Sequence, residues 1–414
     1  MTTDRRDRAM RTLLVLVLIP LAASLAAAEP GTITFVETVP TETELDLPQL
    51  PEAAPVWRDL VATARHSLDI FAFYVSPAPD GDGRLTAILD LVQARAADGL
   101  AVRLLSDRRF HATYPRTHDR FSTAGIPARL FDGTSAWGGG VQHAKGMIVD
   151  GERFFLGSQN WDWRALEHIH ELGVVVEHAG LARDLARIFA VDWALAGGED
   201  PPALAPVTPH APVVASPARL ALPDGRVCDA VLAASPPRAL PVGVTWDWPL
   251  LRDQIDRAER RVRLQMLSYN PGDRDGGYWH ELDAALRRAA ARGCEVQIIL
   301  ADWAKRDYML PHVKSLAVLP RVEVRFTSIP EWSGGFIPFA RVDHAKFVTC
   351  DGHALWLGTA NGSRDYFHQS RNISLFLRGD GSTAAADAFF TIGWHGPYAE
   401  TVDPGREYTP PRRQ

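Results

Sequence analysis

His143 and Lys145 recur 201 residues later as His344 and Lys346. Each pair is followed at one common spacing by an aspartate (Asp150, Asp351), a Gly-Ser or Gly-Thr step ending at Ser158 or Thr359, and an asparagine (Asn160, Asn361). From ordinary residue usage, meeting six such constraints once by chance in a chain of this length has a probability on the order of 10⁻⁵. Meeting them twice is not coincidence. Residues i and i+2 of a strand point to the same face, so each His projects together with its Lys. Two such faces meeting would gather two imidazoles and two ammonium groups around one point, with the amides of Asn160 and Asn361 and the hydroxyls of Ser158 and Thr359 as further hydrogen-bonding groups. The set suits a phosphodiester, whose transition state spreads negative charge over non-bridging oxygens that lysines and amides can stabilise more than they stabilise the ground state. One neutral imidazole can attack phosphorus while the other, protonated, donates to the leaving oxygen and afterwards serves as base for water. The lysines bring the positive charge, so neither an obligatory metal nor another cofactor is expected.

These residues must be positioned by a repeated scaffold. The segments HAKGMIVDGERFFLGS and HAKFVTCDGHALWLGT each place Asp-Gly between two apolar runs, a strong hairpin signal because both turn positions favour positive φ. Upstream, HSLDIFAFYVSPAP with RLTAILDLVQARAADGLAVRLLSD reads as strand, loop, amphipathic helix, strand, and RRVRLQMLSYNPGD with GYWHELDAALRRAAARGCEVQIILAD repeats that order. Gly99 and Gly293 stand where a left-handed cap would end each helix. The pattern predicts an α/β fold of two similar sheet-plus-helices halves related by pseudo-twofold symmetry, with one active site at their interface. Residues 29–200 form the first half and 244–402 the second. Ten of the thirty prolines fall in 201–243, which reads as a connector without a regular helix or central strand. Residues 403–414 read as a polar tail.

The 414 residues are 46% apolar and 23% charged, within the globular range. Residues 1–28 run from four arginines through an apolar stretch to three alanines, the order of a cleavable export signal. An uncleaved membrane anchor is the alternative. The expected location is periplasmic or secreted. A net charge of −6 excludes a protein that coats duplex nucleic acid through a broad basic surface, but not a pocket gripping one phosphate. Cys228, Cys294 and Cys350 make an odd count, so at least one is unpaired within the chain.

The duplicated His-x-Lys-x4-Asp pattern resembles the signature of the phospholipase D superfamily. GSQNWDWRALEHIHELGVVV and LARDLARIFAVDW in the first half, with IPFARVDHAKF and LGTANGSRDYF in the second, look similar to the branch holding animal lysosomal phospholipase D-like exonucleases and a poxvirus envelope phospholipase-like protein. The resemblance covers roughly residues 55–400. It implies a two-step route through a phosphohistidine, His143 and His344 as nucleophile and acid, Lys145, Lys346, Asn160 and Asn361 on the phosphate, and a structural role for Asp150 and Asp351. Two departures stand out. Glu171 lies 28 residues after His143, where the family keeps a carboxylate that orients a histidine, but the same offset from His344 gives Asn372. If these groups reach across to the other half's histidine, as in the family, Glu171 supports His344 as acid and His143 is the nucleophile. Gly362 stands where the exonuclease branch usually has tryptophan.

Other features read as bland or substrate-facing. His168, His170 and Glu171, with His178, could suggest a metal cluster. The two histidines are instead expected to be partly exposed strand residues. Trp161, Trp163 and Trp193 read as packing. Trp332, in a Gly-rich loop, reads as a substrate contact, together with Ser158, Thr359 and Asn372. The expected partner is a phosphodiester, either single-stranded nucleic acid or a phospholipid with transient membrane contact. Hydrolysis of a strand end leads. Phospholipid headgroup hydrolysis or transfer is the alternative, and a non-catalytic phosphate-ester binder is the rival from another class. Oligomeric state is not readable from the chain.

Overall fold

The computed structural model describes residues 29–207, 217–272 and 277–414. The export signal expected at 1–28 lies outside them. The apolar runs form β1 (Gly31–Thr38), β2 (Ser67–Ala72), β3 (Val75–Ser76), β4 (Ala101–Asp107), β5 (Ala128–Phe131), β6 (Gly146–Val149), β7 (Arg153–Gly157), β8 (Trp161–Asp162) and β9 (Glu171–Glu177). They continue with β10 (Ala218–Ala221), β11 (Val227–Ser235), β12 (Thr245–Trp246), β13 (Arg261–Met266), β14 (Glu295–Ala301) and β15 (Val322–Thr327). The last four are β16 (Phe347–Cys350), β17 (Ala354–Gly358), β18 (Asn372–Arg378) and β19 (Ala399–Thr401).

Strands β2, β4 and β5 pair in parallel, as do β13, β14 and β15. In each half an antiparallel run follows, β6–β7–β9 after β2 and β16–β17–β18 after β13. The halves join through β9–β1–β10–β11–β18, which makes one continuous open sheet from β5 to β19. The α/β class, the duplication and the paired hairpins therefore stand as expected.

Helices cover the parallel strands because their apolar residues recur at helical spacing. Arg84–Ala97 buries Leu85, Ile88, Leu89 and Val92, and His280–Ala291 buries Leu282, Ala285, Leu286 and Ala289. Each buried leucine or isoleucine contributes about 1.5–3 kcal/mol. Gly99 and Gly293 end these helices at φ 99° and 102°. The core between the halves draws on both: Phe154, Leu156 and Phe189 pack in one cluster with Leu355, Leu357 and Phe389. Any site formed at this seam is built by both halves.

The two Asp-Gly turns match. Asp150 and Gly151 have φ 56° and 67°, and Asp351 and Gly352 have 56° and 82°. Each aspartate also reaches back to the strand beside its hairpin. Asp150 accepts from the backbone N–H of Arg65, His66 and Ser67, and Asp351 from those of Glu259, Arg260 and Arg261. Burial alone would raise both carboxyls, but these donors outweigh it and hold them below the usual range.

Two expectations are corrected. The stretch 201–243 does contain a central strand: β11 pairs with β10 and β12 on one side and β18 on the other. Its prolines cluster at 201–217 and 236–241, leaving only Pro223 between 218 and 235, in the β10–β11 turn. By register β11 meets Asn372 as β1 meets Glu171, through Ser235 and Thr38. Residues 403–414, polar in composition, are not a loose tail: Tyr408 is buried, Arg413 lies over the Trp303 ring, and the Arg413 carbonyl accepts from Phe339 N–H. All three cysteines are buried and free. Among the described residues no helix is long and apolar enough to cross a membrane.

Candidate active site

The His-x-Lys segments lie immediately before β6 and β16, and each is held by the opposite half. His143 N–H donates to the Arg371 carbonyl at 3.0 Å, and His344 N–H donates to the His170 carbonyl at 2.9 Å. Gln142 with Arg371, and His170 with Asp343, make the two matching parallel bridges. Thus the residue ahead of β9 positions the second motif, and the residue ahead of β18 positions the first.

The first residues of β9 and β18 then complete the exchange. Glu171 meets His344 Nδ1 at 2.9 and 3.0 Å through its two oxygens. Asn372 Oδ1 meets His143 Nδ1 at 3.0 Å. The Asn372 amide is oriented by its Nδ2, which donates to the Tyr366 carbonyl at 2.7 Å, while Thr359 Oγ1 donates to Oδ1 at 2.9 Å. An oxygen facing Nδ1 requires a proton there, which leaves Nε2 of a neutral His143 with its lone pair free. The ring is braced edgewise by Phe73 and Tyr366, each with its centroid 4.8 Å away.

Lys145 and Lys346 are 0% and 1% exposed, and each Nζ donates to the carbonyl of its own motif histidine at 2.5 Å. Burial, then the charges of both lysines, holds both imidazoles well below their usual value. The charge of His344 also acts on His143, so all four groups share one electrostatic environment. Burial lowers Lys145 well below the usual amine range and brings Lys346 down to about 7. Burial likewise raises the Glu171 carboxyl to about 7, against the opposing pull of Lys346. Glu171 and His344 are thus both buried and 2.9 Å apart, and burial pushes each toward its neutral form. A phosphate anion entering between the lysines would raise the proton affinity of all these groups and favour the imidazolium of His344.

Asn160 and Asn361 are buried beside the motifs, and neither side-chain oxygen has a partner. Their amides are free to meet a ligand. Ser158 and Thr359, expected at the substrate, are buried with their hydroxyls engaged by the fold. Ser158 Oγ bonds the Leu172 backbone and supports Glu171, while Thr359 Oγ1 bonds Ile373 N–H and Asn372. They sit at the end of β7 and β17, where the hydroxyl closes the ladder to the next strand. Asn372 is also fully buried, with its side-chain oxygen on the His143 ring. Trp332 packs its ring on His168 at 4.9 Å. His168 and His170 are buried, not partly exposed. His168 lies between Trp163 and Trp332, and His170 stacks on Phe389 at 3.9 Å with Nδ1 3.2 Å from Asp343. They turn to different partners from Glu171 and do not assemble as a cluster with it. Gly362 hydrogen-bonds with Ser268 and Asn270 through its backbone, and a Cβ there would lie 3.0 Å from the Ser268 carbonyl.

Sequence reading missed Arg371 and Asp192. Both are fully buried and joined by two hydrogen bonds of 2.8 and 2.7 Å. The signal was available: Arg371 directly precedes Asn372, at the place His170 holds before Glu171.

The profile of the family described as "Cardiolipin synthase, PLD-like domain" matches residues 58–193 and 251–394. This chain belongs to that phospholipase D-like family and is a phosphodiesterase of the phospholipase D superfamily. It is 30% identical over 404 residues to the 5'-3' exonuclease PLD3 of Bos taurus, covering 91% of this chain and 81% of that one. It is 26% identical over 388 residues to Phospholipase D Z of Dictyostelium discoideum, covering 90% and 91%. Its fold is similar to a phosphatidylserine synthase of Haemophilus influenzae, with TM-score 0.60 and 12% identity over 84% of this chain and 85% of the other.

Proposed function

We propose that the enzyme hydrolyses phosphodiesters through a phosphohistidine on His143, with His344 as general acid and then general base. The observation that carries this reading is the unequal support of the two rings: an amide on His143 and a carboxylate on His344. Nε2 of neutral His143 attacks phosphorus, the P–O bond to the leaving group breaks, and Nε2–H of His344 delivers its proton to the departing oxygen. Water then gives a proton to His344 and its oxygen attacks phosphorus. The P–N bond breaks, releasing the phosphomonoester and restoring both rings. Lys145, Lys346, Asn160 and Asn361 bind the non-bridging oxygens, and no metal takes part in the chemical steps.

The leading substrate is the end of a single nucleic-acid strand. The relative named 5'-3' exonuclease PLD3 supports this, as does the aromatic wall running from His143. Phe73 contacts the ring, Phe110 lies 4.1 Å from Phe73, and Tyr74 and Tyr114 stack at 4.7 Å. Such rings stack bases without sequence preference. The second reading, a phospholipid headgroup met at a membrane surface, is supported by the relative named Phospholipase D Z. Trp332 is assigned to the substrate rim, and the basic–apolar start of the chain to export.

Offering a 5'-hydroxyl single-stranded oligonucleotide and phosphatidylcholine vesicles to the purified protein in EDTA tests the whole reading. Stepwise shortening of the oligonucleotide is expected. Choline release in its place would move the substrate to lipid, and loss of turnover with EDTA would contradict chemistry carried by the histidines alone. His143→Ala should abolish turnover, whereas a binding protein would keep its affinity with no turnover to lose.

A further inference from the structure

A small pocket lined by Tyr74, Asp107, Phe110 and Tyr114 together with His111 and His118 reaches the first motif through Phe110, whose ring lies 4.1 Å from Phe73, itself against His143. The two histidines sit on different elements, His111 ending the short helix Arg108–His111 and His118 within the helix Arg116–Thr123. Both rings converge on one carboxylate oxygen. His111 Nε2 is 3.0 Å and His118 Nδ1 3.7 Å from Asp119 Oδ1, with the ring centroids 5.0 Å apart. One ligand atom from each of the three residues falls within 4.8 Å of the others, the one such grouping among the described residues.

We infer that His111, His118 and Asp119 form a binding site for a zinc-like divalent cation in the wall of this pocket. Imidazole and carboxylate donors suit zinc, whose bonds of about 2.0–2.2 Å to nitrogen and oxygen place tetrahedral ligands roughly 3.3 Å apart. The separations of 3.0 and 3.7 Å bracket that edge. As a plain ion pair the arrangement uses only the His111 contact fully, because His118 Nδ1 stands beyond hydrogen-bond distance of the same oxygen. A cation engages all three at once. The nearby Arg120 is drawn away to Asp90 and Gln93, so no guanidinium neutralises Asp119. Three protein ligands leave a fourth position open, and two of the three ligand residues line the pocket. Binding would clamp the loop 112–115, whose Tyr114 stacks on Tyr74. The ion acts on that aromatic wall and takes no part in the phosphoryl steps at His143. The site does not depend on which phosphodiester is cleaved.

The test uses the full chain stripped of metal, then loaded with ZnCl2 alone and gel-filtered. One equivalent of zinc per chain should be retained by the wild type and by His143→Ala, and binding should weaken at least tenfold in His118→Asn and in Asp119→Asn. Cobalt in place of zinc should give the visible absorption of a four-coordinate nitrogen–oxygen site. The Asp119 side chain is 61% exposed, so Asp119→Asn keeps the test valid should His118→Asn fold poorly. No zinc retained by the wild type, or equal retention by Asp119→Asn, overturns the proposal. Retention lost only in His143→Ala would place the ion at the catalytic histidines and overturn it as well. Repeating the EDTA assay on Asp119→Asn separates this ion from the chemistry, because a histidine-only mechanism leaves that variant insensitive to the chelator.

Discussion

Glu171 of the first half grips His344 of the second at 2.9 Å, while Asn372 of the second grips His143 of the first at 3.0 Å. The two contacts are geometrically equivalent and chemically different. A carboxylate raises the proton affinity of its ring, whereas an amide fixes a tautomer and adds no charge. On the mechanism proposed above, a symmetric scaffold thereby gains an acid and a nucleophile.

Glu171→Gln keeps the shape of this contact and removes its charge. The rate of the phosphoryl-transfer step should fall roughly 10²–10⁴-fold for an alkyl leaving group. It should fall much less for a nitrophenyl ester, whose oxygen departs without a proton. Pre-steady-state release of the two leaving groups would measure this, and equal losses would refute the acid assignment.

Asn372→Asp places a second carboxylate on His143. By the same electrostatics its imidazole should hold a proton to higher pH, so the acid limb of kcat/KM should move upward by roughly a unit or more. An unmoved limb would mean that this ring is not the attacking base.

A labelled phosphoryl group trapped by acid-free denaturation should reside on His143. Mapping the labelled peptide decides the matter, and label on His344 reverses the two roles.

Asp150 and Asp351 have carboxyls held below the unfolded value near 4. A depressed folded pKa gives stability that is fully present above the unfolded value and is lost as pH falls through the folded one. Asp351→Asn should therefore lower stability by about 1–3 kcal/mol at pH 7 and flatten the acid side of the unfolding profile. A variant that denatures in acid like the wild type would contradict the turn-anchoring role.

Arg371 is wholly buried with Asp192 as its charge partner. Asp192→Asn should destabilise by about 3–5 kcal/mol because it strands a cation in the core. Its effect should reach catalysis, because the Arg371 carbonyl holds His143 N–H. Denaturant midpoints and turnover measured on the same preparation would show whether the two fall together.

The motif chemistry was legible in the sequence because it is written twice: His143, Lys145 and Asp150 gain their meaning from His344, Lys346 and Asp351. The repeat likewise exposed the helices, the hairpins and the odd pairing of Glu171 with Asn372. What was hidden depends on distance or averaging. Asp192 and Arg371 are 179 residues apart in the chain, and no periodicity links them. Strand β11 was masked because prolines counted over 201–243 blurred a stretch that is almost free of them. Ser158 and Thr359 read as substrate-binding hydroxyls because they stand beside the motif; that each also closes a strand ladder depends on pairing with a strand further along the chain.

The crossed bridges of Gln142 with Arg371 and His170 with Asp343 tie each motif's approach to the opposite half. Catalytic competence is in consequence a property of the seam, and neither duplicate owns it. A shift of one half against the other would carry each imidazole away from the backbone carbonyl that holds it.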